Sequence, residues 1–178
     1  MDEVRINGGD DELSPLHIGA SSFRTKKIII GAVLVFFGIV IGAYLFSDTH
    51  PRMFISPASC HTHCLKKNEL LGLLVSIGVQ RFPDLFPMVI KETDKTIAIV
   101  HPYPATAIHY LIIPKKDIPD PANISRDDEP YLADAFALIR AIVEEQHLKK
   151  YRIIVNGPGY QEATYLHFHL MSNETPAR

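Results

Sequence analysis

The stretch TYLHFHLM, residues 164–171, alternates bulky apolar side chains with imidazoles at a period of two. In an extended strand, alternate side chains point to opposite faces. One face would consist of Leu166, Phe168 and Leu170. The other would consist of Tyr165, His167, His169 and Met171. The first face suits a hydrophobic core, and the second presents two imidazoles about 6–7 Å apart, given a rise of about 3.3 Å per residue. Imidazole suits nucleophilic or proton-transfer chemistry near neutral pH, although a half-buried structural strand is the alternative interpretation.

A second stretch, residues 28–46, is uncharged and predominantly apolar: IIIGAVLVFFGIVIGAYLF. At 1.5 Å per residue it spans about 28 Å as a helix, which matches the hydrocarbon thickness of a bilayer. We predict a single transmembrane helix here, with a buried core helix as the alternative. The whole chain has 178 residues and a net charge of −2, which suits one domain with appendages and does not indicate a nucleic-acid partner.

The charges on either side of this apolar run predict its orientation. Arg24, Lys26 and Lys27 precede it, and the residues that follow it, 47–52, are less basic. The positive-inside rule places the N-terminus in the cytosol and the C-terminal domain on the non-cytosolic side. No small-x-small cleavage site follows, so we expect a retained anchor and a single-pass membrane protein. Two glycosylation sequons, at Asn123 and Asn173, provide a test of this topology.

The remaining pattern predicts an α+β domain with a mainly antiparallel sheet of about five strands, one long helix and a shorter N-terminal helix. We expect a flexible tail over residues 1–27, the membrane helix over 28–46, a linker over 47–58 and the domain over 59–178. Helical spacing predicts helices over residues 64–79 and from Ser125 or Asp127 to about Leu148. The predicted strands are residues 86–91, 96–101, 109–114, 151–156 and 164–171.

Four stretches in this order resemble the histidine triad (HIT) superfamily, especially its Hint-like branch. They are HPYPATAIHYLIIPKK at residues 101–116, the long helix from Arg126, IIVNG at residues 153–157, and Gln161 followed by Tyr165-x-His167-x-His169. The last resembles the family signature H-φ-H-φ-H-φ-φ, in which φ is an apolar residue. The resemblance covers approximately residues 86–172.

The resemblance implies a protein that binds nucleotides and hydrolyses or transfers nucleotidyl groups at the α-phosphate. His167 matches the central signature histidine, which is the family's nucleophile and forms a nucleotidyl-histidine intermediate. His169 matches the last signature histidine, and His109 matches the upstream histidine that completes the group around the phosphate. The scheme requires neither a metal nor another cofactor. Family members often form homodimers through the long helix and neighbouring strands, so a homodimer is expected.

Four further positions match nucleotide- or phosphate-binding positions of the family, and two of them depart from its usual residue. Asn156 matches an asparagine that contacts the phosphate or leaving group, and Gln161 lies in the loop that approaches the α-phosphate. Tyr165 replaces the first signature histidine and cannot act as an imidazole base near pH 7. His101 replaces the usual acidic residue that contacts ribose. In addition, Glu162 replaces a frequent serine near the leaving group, where a carboxylate would repel phosphate, and the loop from Asn156 to Gln161 is shorter than usual.

Two other classes of function remain open at this point. Tyr165 and Glu162 are also compatible with a catalytically weak or inactive nucleotide sensor. His167, His169 and His109 could instead hold a metal ion on the sheet. A separate cluster, Cys60-His61-Thr62-His63-Cys64, is a weak candidate metal site, and its two cysteines could equally form a disulfide or remain free thiols.

Overall fold

A computed structural model describes residues 19–56, 64–86 and 88–175, with backbone only for residues 19–24. The chain divides into two compact units, one ending at Ala43 and the other beginning at Tyr44. Residues 1–18 of the predicted tail lie outside the described residues, as do Cys60, His61 and His63. Cys64 is described and is disulfide-bonded.

The first long helix, α1, spans Gly19–Phe46 and contains the predicted membrane segment. Its part from Thr25 to Phe46, 22 residues, is long and apolar enough to cross a membrane, and it is not buried within the protein. The helix begins at Gly19 and not at Ile28, so residues 19–27 are helical where we expected a flexible tail. These residues include Ala20, Arg24 and two lysines, which propagate a helix well once it has been nucleated.

Five antiparallel strands form the sheet, in the spatial order β1-β2-β3-β5-β4. They are β1 (Val89–Glu92), β2 (Thr96–Val100), β3 (Ile108–Pro114), β4 (Arg152–Val155) and β5 (Phe168–Ser172). The predicted α+β class and antiparallel sheet are therefore confirmed. The last strand begins at Phe168 and not at Thr164, because the backbone of residues 164–166 bonds to groups outside the sheet.

Two further helices pack on this sheet: α2 (Lys67–Arg81) and α3 (Glu129–Glu145). Helix α2 is shifted towards the C-terminus relative to the predicted residues 64–79. Helix α3 follows a short 3₁₀ turn at Arg126–Asp128, and Ser125 and Asp128 form a capping box there. The cap satisfies backbone N–H groups that the first turn leaves without partners. Helical structure therefore begins directly after Ser125, as the sequence predicts.

Both faces of the sheet are covered, which follows from the alternation of side chains along its strands. On one face, α3 packs over a cluster that includes Ala98, Ile112, Leu166, Phe168 and Leu170. On the other, Val79 of α2 packs with Ile97, Ile99, Ile113 and Tyr165. The apolar face predicted from residues 164–171 is thus buried under α3, while the imidazole face lies on the side of α2.

The segment after α1 is not a free linker, although we predicted one over residues 47–58. Arg52 forms a bidentate ion pair with Asp117, with N–O distances of 2.6 and 2.5 Å, and both side chains are almost inaccessible. Phe54 and Ser56 also make backbone hydrogen bonds to Lys66 and Cys64. Residues 47–56 are therefore part of the folded domain, and residues 57 and 58 lie outside the described residues.

Candidate active site

A cavity of about 400 Å³ opens on the α2 side of the sheet. Its apolar part is lined by Leu71, Val75, Phe86, Ile99, Leu111 and Ile113. Its polar part is lined by His101, Tyr103, Asn156, Tyr160, Glu162, His167 and His169. A pocket with an apolar wall and a few convergent polar groups is the usual form of a small-molecule site.

His167 lies immediately before β5 and lines this cavity. Its Nδ1 donates a hydrogen bond to the carbonyl oxygen of Tyr165 at 2.7 Å, since a carbonyl can only accept. In the neutral ring, the proton on Nδ1 leaves Nε2 with a free lone pair. The backbone therefore fixes the tautomer in which Nε2 can act as a nucleophile.

A chain of hydrogen bonds fixes the tautomers of His109 and His169. The backbone N–H of Ala105 donates to Nδ1 of His109 at 3.1 Å, so a neutral His109 carries its proton on Nε2. That Nε2 lies 2.9 Å from Nδ1 of His169 and donates to it. A neutral His169 must then carry its own proton on Nε2, and it presents a donor at this end of the cavity.

Asn156 ends this chain of hydrogen bonds. Its amide Nδ2 lies 3.3 Å from Nε2 of His169. Because Nε2 is the protonated nitrogen, the amide oxygen is the matching acceptor, and a half-turn of the amide brings it there. An anion bound beside them can replace the amide oxygen as the acceptor of the His169 Nε2 proton, and the Asn156 amide nitrogen can donate to the same anion.

His101 joins this group as a fourth imidazole. Its ring stacks on His109 with centroids 4.0 Å apart and an interplanar angle of 13°. Its Nδ1 accepts the backbone N–H of Tyr103 at 3.0 Å, so a neutral His101 also carries its proton on Nε2. The position predicted to contact ribose is thus part of the imidazole cluster.

Burial and mutual repulsion keep His109, His167 and His169 neutral. Desolvation, together with the nearby His167, His109 and His101, lowers the pKa of His169 to about 4. Desolvation also lowers the pKa of His109 and that of His167. At neutral pH, His167 is therefore unprotonated and available for attack.

Two predicted binding residues direct their polar groups elsewhere, although Tyr165 itself lines the cavity. Tyr165 is fully buried, and its hydroxyl donates to the carbonyl oxygen of Pro114 at 2.7 Å. Gln161 donates from Nε2 to the carbonyl oxygen of Pro119 at 3.2 Å and does not line the cavity. Tyr165 fills the site of the first signature histidine as a core residue that anchors the segment leading to His167.

Three residues that we did not predict support this segment from behind. Arg52 donates from Nη2 to the carbonyl oxygen of Thr164 at 3.0 Å. The N–H of Thr164 donates to the carbonyl oxygen of Asn68 in α2. Gly72 allows this close approach, because an added Cβ would lie 2.5 Å from the Thr164 carbonyl oxygen. A glycine inside a helix is unfavourable and indicates a packing reason; the sequence does not identify the partner.

Three of the imidazoles are also close enough together to be candidate metal ligands. Nitrogen atoms of His101, His109 and His169 lie within 4.8 Å of one another and could surround an ion, whereas His167 is not in that group. However, the nitrogens of His109 and His169 that face each other share a proton in a hydrogen bond. A metal would need both lone pairs at once, so the described geometry favours a proton-linked network. Of the weak candidates near the N-terminus, Cys64 is disulfide-bonded and has no thiolate to offer, and the other three lie outside the described residues.

Comparison with known proteins identifies the family of the C-terminal domain. Residues 84–178 match the model of the family described as "Scavenger mRNA decapping enzyme C-term binding". A HIT-like protein of Chlamydia pneumoniae is 34% identical over 83 residues, which cover 45% of this chain and 76% of that protein. The chain belongs to the histidine triad superfamily. A HIT-like protein of Chlamydia trachomatis serovar D is 35% identical over 83 residues, covering 45% of this chain and 75% of its own.

Solved structures of the superfamily share the fold. A HIT family hydrolase from Clostridium thermocellum is 28% identical, with a TM-score of 0.50, over 55% of this chain and 87% of that chain. A histidine triad protein from Clostridium difficile is 22% identical, with a TM-score of 0.50, over 57% of this chain and 93% of that chain. The HIT-like domain is therefore the part of this chain that the solved structures share. Helix α1 precedes that domain.

Proposed function

We propose that this HIT-like domain is a nucleotide hydrolase or transferase of the phosphoramidase type, which acts at the α-phosphate through a nucleotidyl-His167 intermediate. The observation that supports this most strongly is the hydrogen bond from His167 Nδ1 to the Tyr165 carbonyl oxygen. It leaves Nε2 unprotonated in a residue that lines the cavity, which is the arrangement a histidine nucleophile requires.

The reaction proceeds in two displacements. In the first, Nε2 of His167 forms a bond to the α-phosphorus, while the bond from phosphorus to the leaving group breaks and the leaving group takes up one proton. In the second, a water oxygen attacks the same phosphorus, the bond to Nε2 breaks, and the water gives up one proton. In the transferase variant, an alcohol or amine of an acceptor replaces the water.

His169 and Asn156 stabilise the charge that develops on the phosphoryl oxygens. The hydrogen-bond chain from Ala105 through His109 presents His169 Nε2 as a donor. Donors that are oriented before the reaction supply most of the stabilisation in such chemistry. The apolar part of the cavity accepts the base, and no described residue there offers a side-chain hydrogen bond to read its edge.

Turnover of adenosine 5′-phosphoramidate by the full-length protein in detergent tests this proposal. We expect release of the nucleoside monophosphate, and a mass increase of one nucleotidyl group on His167 after rapid quenching at alkaline pH. His167→Ala should abolish both signals, whereas Tyr165→Phe should retain them because that hydroxyl bonds only within the core. Turnover that survives in His167→Ala, or dependence on added metal, would contradict the mechanism.

A nucleotide sensor without turnover is the second candidate. It is favoured by Tyr165, which removes one imidazole of the signature, and by Glu162, whose carboxylate lines the cavity. Binding of a nucleoside monophosphate by wild-type protein, with no turnover of the phosphoramidate and no adduct on His167, would support the sensor.

We further propose that α1 anchors the protein in a membrane, with the N-terminus in the cytosol and the HIT-like domain on the other side. The apolar helix from Thr25 to Phe46 and the basic residues before Ile28 support this orientation. Both sequon asparagines, Asn123 and Asn173, are exposed. Expression in a glycosylating cell should give a mass shift that is lost in Asn123→Gln combined with Asn173→Gln. Labelling from the cytosol of a single cysteine introduced into the domain would contradict the orientation.

A further inference from the structure

We propose that Glu162 is a specificity-determining residue, which selects leaving groups that carry a positive charge over leaving groups that carry negative charge. The inference rests on the proposed function, because it concerns the leaving group of the same reaction. It narrows the substrate class to nucleotidyl compounds in which the α-phosphate is bonded to a cationic group, such as an amine with a second, protonated amino group.

The charges around the cavity are the first observation. Among the described residues that line it, Glu162 is the only carboxylate, and no lysine or arginine is present. Burial and the neighbouring imidazoles lower the pKa of His167 and that of His169, so these two rings are neutral at pH 7. A leaving group with several negative charges would therefore meet a carboxylate and no cation to compensate it.

The shape of the cavity is the second observation. Its apolar part, which includes Val75, Phe86 and Ile113, suits the base, and the phosphorus must lie next to His167. The polar part, which contains Tyr160 and Glu162, is then left for the rest of a substrate. The Tyr160 side chain is 85% exposed and Glu162 is exposed, so this side is open to a substituent of variable size.

The electrostatic effect of Glu162 reaches the nucleophile. Burial lowers the pKa of His167, and the negative charge of Glu162 is among the groups that raise it again. No described lysine or arginine forms an ion pair with Glu162, so its charge is not neutralised within residues 44–56, 64–86 and 88–175. Exposed charge pairs contribute up to about 1 kcal/mol, which corresponds to roughly a three- to fivefold effect on rate per charge.

A matched series of adenosine 5′-phosphoramidates tests the proposal on the full-length protein in detergent. The leaving amines are 1,3-diaminopropane, n-butylamine and β-alanine, which have similar length and carry an ammonium group, a methyl group and a carboxylate at the far end. In wild-type protein, we expect kcat/KM to decrease in that order, by about three- to fivefold per step at low salt. The differences should shrink at high ionic strength, as expected for exposed charges.

Two variants separate the charge of Glu162 from its shape. Glu162→Gln should reduce the ratio of the cationic to the anionic substrate to nearly one, whereas Glu162→Asp should preserve its direction. Glu129→Gln makes the same change at an exposed glutamate that does not line the cavity, and it should leave the ratio as in wild type.

The outcomes distinguish this proposal from the one on which it rests. If all three substrates are hydrolysed but the ratio is the same in wild type and Glu162→Gln, the role of Glu162 is wrong and the hydrolase proposal stands. If none is hydrolysed, the hydrolase proposal is wrong, and dissociation constants for the same series then decide. If wild type binds the cationic compound most tightly and the anionic one most weakly, and Glu162→Gln loses this order, Glu162 selects its ligands at the level of binding. Equal Kd values for the three compounds would overturn the role of Glu162.

Discussion

Arg52 and Asp117 form a bidentate ion pair whose two side chains are only 2% and 1% exposed. Arg52 also donates to the carbonyl oxygen of Thr164, three residues before His167. The chain segment that follows α1 is thereby joined to the backbone that positions the proposed nucleophile. We therefore expect the Arg52–Asp117 pair to contribute to the stability of the domain.

Replacing Arg52 with alanine should destabilise the domain by about 3–5 kcal/mol, because it leaves the Asp117 carboxylate buried without its partner. Chemical unfolding of wild type and variant measures the difference. Arg81→Ala is the matched control: Arg81 pairs with Asp48, whose side chain is 62% exposed, so this loss should stay within about 1 kcal/mol. Equal losses in the two variants would show that burial does not govern the pair.

Replacing Gly72 with alanine should lower both stability and turnover, even though alanine is the better helix former. The new Cβ would clash with the Thr164 carbonyl oxygen, which belongs to the backbone and cannot rotate away. We expect a lower melting temperature and a reduced kcat. Gly157→Ala provides the control, since nothing lies within 4 Å of its added Cβ and its φ angle is ordinary. A Gly72→Ala protein as stable and active as wild type would disprove the close approach of α2.

The tautomers of three histidines should be visible by ¹⁵N NMR near pH 7. Hydrogen bonds predict the proton on Nδ1 in His167, and on Nε2 in His109 and His169. Spectra of His167→Asn, His109→Asn and His169→Asn would assign the signals. A proton on Nε2 of His167 would leave no free lone pair there and would contradict the proposed nucleophile.

The stability of the domain should fall as the pH decreases from about 6.5 towards 4. The folded-state pKa of His169 is about 4, against an ordinary value of 6.5, so the unfolded chain binds a proton first. The contribution of His169 is fully present above pH 6.5 and is lost through this window, by about 1–2 kcal/mol, because solvent screens a partly exposed ring. Urea unfolding at several pH values should show a shallower decrease in His169→Asn. An identical pH dependence in both proteins would disprove the depressed pKa.

The HIT-like domain should form a homodimer through α3 and β4. Strand β4 lies at the edge of the sheet, and its Ile153 and Val155 are 36% and 42% exposed. The half-exposed Phe136 of α3 lies with its ring centroid 5.3 Å from that of Phe168, which pairs with Val155. Exposed apolar edges of this kind usually mark an interface. Light scattering of the detergent-solubilised protein should give twice the chain mass, and Ile153→Lys should give the monomer. A wild-type monomer at micromolar concentration would contradict the prediction.

Local pattern was sufficient for much of the fold and for part of the site. The alternation in residues 164–171 predicts which side chains face the core, because the period of a strand follows from backbone geometry. Leu166, Phe168 and Leu170 are indeed buried under α3. The spacing of His167 and His169 likewise identified two of the three imidazoles that line the cavity.

What the sequence by itself determined is therefore the set of elements and the face each residue presents, including the apolar helix before the domain. The tertiary structure alone decided that residues 47–56 pack on the domain through Arg52, that Tyr165 turns its hydroxyl to Pro114, and that His101 stacks on His109. Local periodicity depends on covalent geometry within a few residues. Arg52 and Asp117 are 65 residues apart, and such contacts depend on how the whole chain packs, which no local pattern encodes.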